Sequence, residues 1–570
     1  MSNKNLLPVA LGKEKADIVF KNGKIIDVFN ERIIEEDLAV SNGKIIGWGN
    51  YSGVKEIDLN GKYISPGFID AHLHLESTMV SVEEFAKTVI PLGTLTIVAD
   101  PHEIANVAGE IGVEYFLNLG KNLPWNFNLM IPSCVPVTPF DNSGAVLDAL
   151  KIKEMLSKNQ FFGLGEVMDF EGIINGQDYI WDKIELMQNY FIDGHAPKLK
   201  DKLLNAYLLA GIRADHETTT SQEALEKVSK GLYVMVREGS VTRDLESILP
   251  AINDSNVSYF LFATDDRHPE DLLSEGHINF MIKKAISLGM NPLRAIRLAT
   301  INAAKALGIN YLGAIAPGYQ ADLIIVENLN DLTIKEVYKD GMLVAKEGKF
   351  LFSINSGNSS KPEPVFNSIK IPKIKENDFH MPQGETYRIM SLIKDQIVTK
   401  LDFFSPKSEL YEDELIKNGI NKIAVVERYQ KNGKIGLGLL KEFNLKSGAI
   451  ASSIAHDSHN IIVIGSNSYD MKVAVEKISE LHGGIVVTKD GNVLDFLPLP
   501  VGGLVSEEPI EYVSQKLKDL RKIVYDLGVK IQSPFMTLAF MGLPVVPELK
   551  ITCEGLYDVV NHSFVSLVLE

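Results

Sequence analysis

Eight repeats of an apolar, strand-like run followed by a helical stretch fit into about 240 residues and predict an α/β chain built on a TIM-type (β/α)8 barrel. A second observation agrees: residues able to do chemistry gather where the strand-like runs end, the face on which such barrels carry their active sites. A third sets the flanks. Short β-rich runs with Asn-Gly and Asp-Gly turns stand on both sides of the block, predicting a split small β-sandwich, and a further α/β region follows.

Taken in order, residues 16–63 hold ADIVF, IIDVF and IIGWG, joined through Lys21-Asn22-Gly23-Lys24 and Ser41-Asn42-Gly43-Lys44. Asn-Gly takes the positive φ angles of a tight turn, so both are expected to close hairpins. The same grammar returns in Ala321-Asp322-Leu323-Ile324-Ile325-Val326 and at Asp340-Gly341. Between the flanks, strands are expected at 67–72, 94–100, 127–132, 161–167, 191–195, 211–216, 233–237 and 257–264, with helices at 81–92, 103–119, 144–157 and 222–230 among the intervening stretches. Periodicity alone also suits a doubly wound sheet. The expected domains are 1–62 with 311–352 as a discontinuous β-sandwich, 63–310 as the barrel, 353–364 as a Ser/Asn/Gly/Pro linker, and 365–570 as a C-terminal α/β domain. In the last, Lys431-Asn432-Gly433 marks a hairpin, 460–465 a buried strand and 470–481 an amphipathic helix.

Composition narrows the function. At 570 residues, 45% hydrophobic and 23% charged, the chain reads as an ordinary globular protein, and a formal net charge of −17 argues against a general binder of nucleic acid or anionic membrane. Cys134 and Cys553 are the two cysteines, so neither a disulfide framework nor a thiolate metal site is expected. No signal peptide or membrane span is read, and a cytoplasmic location is expected.

The chemistry centres on Pro66-Gly67-Phe68-Ile69-Asp70-Ala71-His72-Leu73-His74. Two histidines one residue apart at a strand end face the same side, as metal ligands do. Other strand ends supply Asp100-Pro101-His102-Glu103, Glu166, His195, Asp215-His216-Glu217 and Thr264-Asp265-Asp266. Taken singly, each also serves as a cap or solvated polar group; together they hold donors enough for two divalent cations. His102 and Glu103 open a helix equally well, and Arg237 at the seventh strand end suits either an ion-paired loop or a pocket wall. In the C-terminal region, Ala455-His456-Asp457-Ser458-His459-Asn460 is a polar turn before a strand, a segment reaching over the barrel mouth, or a capping site for a helix.

These residues resemble the amidohydrolase superfamily, whose binuclear members often bridge their metals with a carbamylated lysine where this chain has Glu166. The strings PGFIDAHLHLESTM, DPHEIANV, GLGEVMD, DGHAP, VREGS, TDDRHPEDLLSEGHI, SSIAHDSHNIIVIG and LPLPVGGLVS resemble the adenine deaminase family within it, over nearly the whole chain. The resemblance implies His72, His74 and Asp265 on one metal, Glu166 bridging, and His195 and His216 on the second. Histidine and carboxylate ligands without thiolate suit two divalent ions, Mn(II) or Fe(II) first and Zn(II) also, and the resemblance implies adenine as a free small-molecule substrate converted to hypoxanthine and ammonia in purine salvage. Asp265 and Glu166 are the expected catalytic residues, with Asp266 and Glu76 as further candidates, and His102, Glu217, Asp266 and His456 are expected to touch the substrate. A homodimer is expected, C2 being the commonest symmetry. The alternatives are another amidohydrolase, such as a cyclic amide hydrolase or guanine deaminase, or a metal-free scaffold on the same barrel.

Overall fold

The computed structural model describes residues 3–354, 360–393, 396, 398–407 and 412–569. Its centre is a succession of parallel strands: Phe68–Leu73, Thr94–Ala99, Asn126–Leu129, Gly163–Val167, Phe191–Gly194, Ala214–Asp215, Tyr233–Arg237 and Phe260–Ala263. Strands one to three, four and five, and six to eight form parallel ladders. Hydrogen bonds also join the ladders. The Ile131 amide donates to the Gly163 carbonyl (2.8 Å), the Ala196 amide to Asp215 Oδ1 (2.7 Å), and the Asp265 amide to the His72 carbonyl (3.0 Å), so the eighth strand meets the first. Strands such as Thr94–Ala99 are buried throughout, which is why they read as unbroken apolar runs instead of alternating ones.

Several boundaries differ from the sequence expectation, each for a local reason. The helix expected at 144–157 is Ala149–Lys158, capped by the Asp148 side chain accepting from the Lys151 amide. Its expected first turn is held elsewhere, because Gly144 lies against the Val107 carbonyl so closely that a Cβ would collide. The helix His102–Gly120 breaks at Gly109, whose φ is +57°. Val257–Tyr259, expected as strand, is a 3₁₀ turn leading into the eighth strand.

On the flanks lie a four-stranded and a seven-stranded sheet, the latter combining strands from both sides of the central block. Phe20, Ile25, Leu38, Ile64, Leu323 and Tyr338 share one core between them. Asn42-Gly43 and Asp340-Gly341 close hairpins, both residues of each pair having positive φ. Asn22-Gly23 does not. Only Asn22 of that pair turns positive, and the chain crosses from one sheet, where Ala16–Lys21 pairs with Leu38–Ser41, to the other, where Lys24–Asp27 pairs with Arg32–Ile34.

Of the expected linker, residues 355–359 lie outside the described residues, while Glu363–Phe366 is a short helix. Beyond it a mixed sheet carries the hairpin Ile420–Val426 with Ile435–Lys441, the buried strand Ile461–Gly465 and the helix Ser468–Glu480. This unit rests on the central strands: its apolar core is continuous with theirs, and the Ser506 amide donates to the Met79 carbonyl (2.9 Å). Among the described residues, no helix is long and apolar enough to cross a membrane.

Candidate active site

The carboxyl ends of the strands deliver His72, His74, Glu166, His195, His216 and Asp265 to one point. Glu166, at the fourth strand, is central: Oε1 lies 3.3 Å from His74 Nε2, while Oε2 lies 2.6 Å from His195 Nδ1 and 3.3 Å from His216 Nε2. Asp265 Oδ1 stands 3.3 Å from His74 Nε2 and 3.8 Å from His72 Nε2. Of the six, only His195 is partly exposed. Asp265 itself adopts a left-handed backbone, φ +56°, at the seam between strands eight and one.

Supporting contacts fix the imidazoles. His72 Nδ1 lies 2.7 Å from Asp193 Oδ2, and His74 Nδ1 lies 3.0 Å from the Asp100 carbonyl, so each ring spends its Nδ1 proton on an acceptor and turns an Nε2 lone pair inward. The two Nε2 atoms face each other at 3.1 Å. The Asp100 carboxylate accepts from the Glu166 amide (2.8 Å) and lies so close to Gly165 that a side chain there would collide with it. Sequence reasoning missed Asp193. Its signal was present: Asp193 precedes His195 by two residues on a strand and so shares its side.

The electrostatics follow from crowding. Burial opposes charge on Glu166, but His195, His216 and His74 hold it well below the usual carboxylate range. Asp265 is likewise held low by His74 and Arg237 against its burial, and Arg237 Nη1 donates to it at 3.2 Å. Burial also opposes protonation of His216, yet Glu166 pulls it up to about 10. A field that draws protons onto imidazoles draws divalent cations equally.

The remaining predicted residues divide. Asp266 accepts from the Ser77 hydroxyl and belongs to a potential metal-binding group with His74 and Asp265. Glu217 pairs with Arg237 and lies 3.8 Å from His216. Glu76 is turned to the helix behind, its Oε1 accepting from the Ile104 amide (2.9 Å), and burial lifts its carboxyl to about 7. His102 stands between Glu166 Oε1 (3.6 Å) and Asp457 Oδ1 (3.9 Å), with its ring edge-on to His74. His456 stacks on Phe540 and faces Glu103 Oε1 at 3.8 Å. Segment 455–460 is a polar turn before the strand Ile461–Gly465 and also lies against the strand ends, so its first two sequence readings both hold.

Comparison with known proteins places this geometry. Residues 63–344 match the amidohydrolase family and residues 396–563 the adenine deaminase C-terminal domain. The adenine deaminase of Petrotoga mobilis is 70% identical across 100% of both chains. The chain belongs to the adenine deaminase family. Other members are more distant but equally complete: "Adenine deaminase 2" of Carboxydothermus hydrogenoformans at 45% identity and the adenine deaminase of Bacillus subtilis at 41%, each over 99% of both chains. A solved D-aminoacylase aligns over 59% of this chain and 98% of its own at TM-score 0.43 and 16% identity, too distant to carry any residue across. The chain is thus an amidohydrolase of the adenine deaminase family, with groups of His and carboxylate side chains able to hold a metal ion.

Proposed function

We propose that the chain hydrolyses adenine to hypoxanthine and ammonia, in purine salvage, at the mouth of a (β/α)8 barrel spanning 63–310. In this reading 1–62 with 311–352 form the split sandwich and 365–570 the C-terminal domain. The observation that carries the proposal is the donor set around Glu166. Two imidazole lone pairs opposed at 3.1 Å, beside two carboxylates held ionised, suit cations between them. His72, His74 and Asp265 would hold one cation and His195 and His216 the other, with Glu166 serving both. The donors are nitrogen and oxygen without thiolate, which suits Mn(II), Fe(II) or Zn(II). When bound, such a pair supplies Lewis acidity and makes a water nucleophilic near neutral pH.

The chain's own residues do the rest. Asp265, ionised and steadied by Arg237, takes the proton of the water that adds to C6 and gives it to the exocyclic amine. The C–N bond then breaks, the amine departs as ammonia, and the ring keeps the oxygen, so one adenine and one water become one hypoxanthine and one ammonia. Asp266, joined to Ser77, and His102 border the ring's position. Arg237 also binds Glu217, so Glu217 acts through the arginine as well as near His216.

The test is ammonia release from adenine, guanine, adenosine and dihydroorotate by protein stripped of metal and reloaded with Mn(II), with metals counted per chain. Turnover of adenine alone at two metals per chain is expected. Turnover of a different substrate instead would overturn the specificity while leaving the metal chemistry standing.

A further inference from the structure

Segment 455–460 places a second group of buried polar side chains against the strand ends. Glu103 Oε1 lies 3.8 Å from His456 Nδ1, and Glu103 Oε2 lies 3.5 Å from His459 Nε2. Three such donors resemble a further metal site, but His459 argues otherwise. Its Nδ1 accepts from the Ala455 amide (3.2 Å), so Nε2 carries the ring's proton, with no lone pair for a cation.

Besides His459 Nε2, two atoms of the segment are buried without a hydrogen-bond partner: Asp457 Oδ2 and His456 Nε2. Burying such groups costs free energy unless a partner arrives, and both lie beside the reacting centre. His102 stands within reach of both Asp457 and Glu166, at 3.9 Å and 3.6 Å. The segment is also anchored, not adrift: the Asn460 amide group donates to the Asn142 carbonyl (2.8 Å) and the Tyr429 hydroxyl to the Ser458 carbonyl (2.5 Å).

We propose that this segment forms the far wall of the base site. Asp457 accepts the imidazole-ring N–H that a free purine base possesses and an N9-substituted one lacks, while His456 bonds a neighbouring ring nitrogen. This rests on the adenine reading above and extends it: the C-terminal domain, not the barrel, distinguishes base from nucleoside. A purine whose C6 meets the metal-side residues turns its five-membered ring away from them, toward the side on which Asp457 stands. A site built around an N–H rejects an analogue without it far more strongly than a merely apolar pocket would, because its own buried acceptor is then left unpaired.

The experiment compares adenine with 9-methyladenine on the Mn(II)-loaded full chain. The wild type is expected to prefer adenine by roughly 10³-fold or more in kcat/KM. Asp457→Ala should lower kcat/KM for adenine about 100-fold and change 9-methyladenine by less than about 3-fold, so the preference collapses; Asp457→Asn, which keeps an acceptor oxygen, should restore much of it. An equal fall on both substrates would show Asp457 to be structural and overturn the proposal. Should the alanine variant fail to fold, wild-type inhibition decides: 9-methyladenine binding as tightly as adenine sinks the idea. A wild type that holds two metals yet leaves adenine intact would instead refute the underlying substrate reading, and that result is distinct from either of these.

Discussion

Two buried charged clusters flank the sixth strand, and they are built on opposite plans. Behind it, Lys227 is fully enclosed, and its ammonium meets Asp215 Oδ2 (2.8 Å), Glu223 Oε1 (2.7 Å), Thr218 Oγ1 (3.0 Å) and the Ala196 carbonyl (2.8 Å). Asp215 spends its other oxygen on the Ala196 amide. Every group has a complement. In front, around Glu166, imidazole nitrogens face one another, and His216 Nδ1, His102 Nδ1 and Asp100 Oδ1 have no hydrogen-bond partner. Adjacent residues, Asp215 and His216, belong to the two plans. The first cluster is complete as a piece of protein; the second leaves donors uncommitted, as the proposed metal site requires. That difference, more than burial or charge, separates a structural ion group from a site of chemistry.

The comparison is broken most sharply by Glu166→Ala. Activity should fall by roughly 10³-fold or more while the fold persists, because the front cluster contributes to chemistry and not to cohesion. Circular dichroism and metal content distinguish this from unfolding; a variant that kept its activity would remove Glu166 from the centre. The mirror experiment is Lys227→Met, which strands Asp215 without its cation. A loss of about 3–5 kcal/mol is expected, seen as a lower thermal midpoint, with specific activity of the folded fraction nearly kept. An unchanged midpoint would mean that the rear cluster is dispensable.

Asp193→Ala sharpens the front plan. It frees His72 Nδ1, so metal affinity should weaken by about 10- to 100-fold in a chelator competition, with kcat at saturating metal much less affected. The smallest effect is one of pH. Burial opposes ionisation of Asp215, but Lys227 and His216 hold its folded-state pKa below the ordinary 3.8. A depressed acid pKa adds stability that is present above the unfolded value and is lost as pH falls through the folded one. Wild-type stability should therefore decline more steeply below about pH 4 than that of Asp215→Asn. Parallel acid-unfolding curves would contradict the pairing.

Much of the site was legible in the sequence because strand alternation is a strict rule. His72 and His74 share a side, and each further ligand candidate stood at the end of an apolar run. Asp193 obeyed the same rule and was passed over only because it lies within its run and not at the end. The capping role of Glu76 toward Ile104 was less accessible, since it depends on how a helix begins after a different strand. Turn chemistry was legible where both residues could turn positive, as at Asn42-Gly43, and misleading at Asn22-Gly23, where the path between two sheets overrode local preference. The position of segment 455–460 was open for a similar reason. A polar hexapeptide before a strand has no periodicity to say what it faces, and the answer comes from packing between regions more than 300 residues apart.

The seam at residue 265 bears on redesign. One residue supplies the amide that joins the last strand to the first, adopts the left-handed backbone there, and offers the carboxylate beside His74. In the proposed mechanism, architecture and reactivity are thus a single variable at that position. An engineer wishing to retune the chemistry without loosening the ring has a narrow choice: Asn, which tolerates the same φ and keeps the amide, changes the charge alone. A β-branched residue would alter ring and reaction together, and its effect could not be assigned to either.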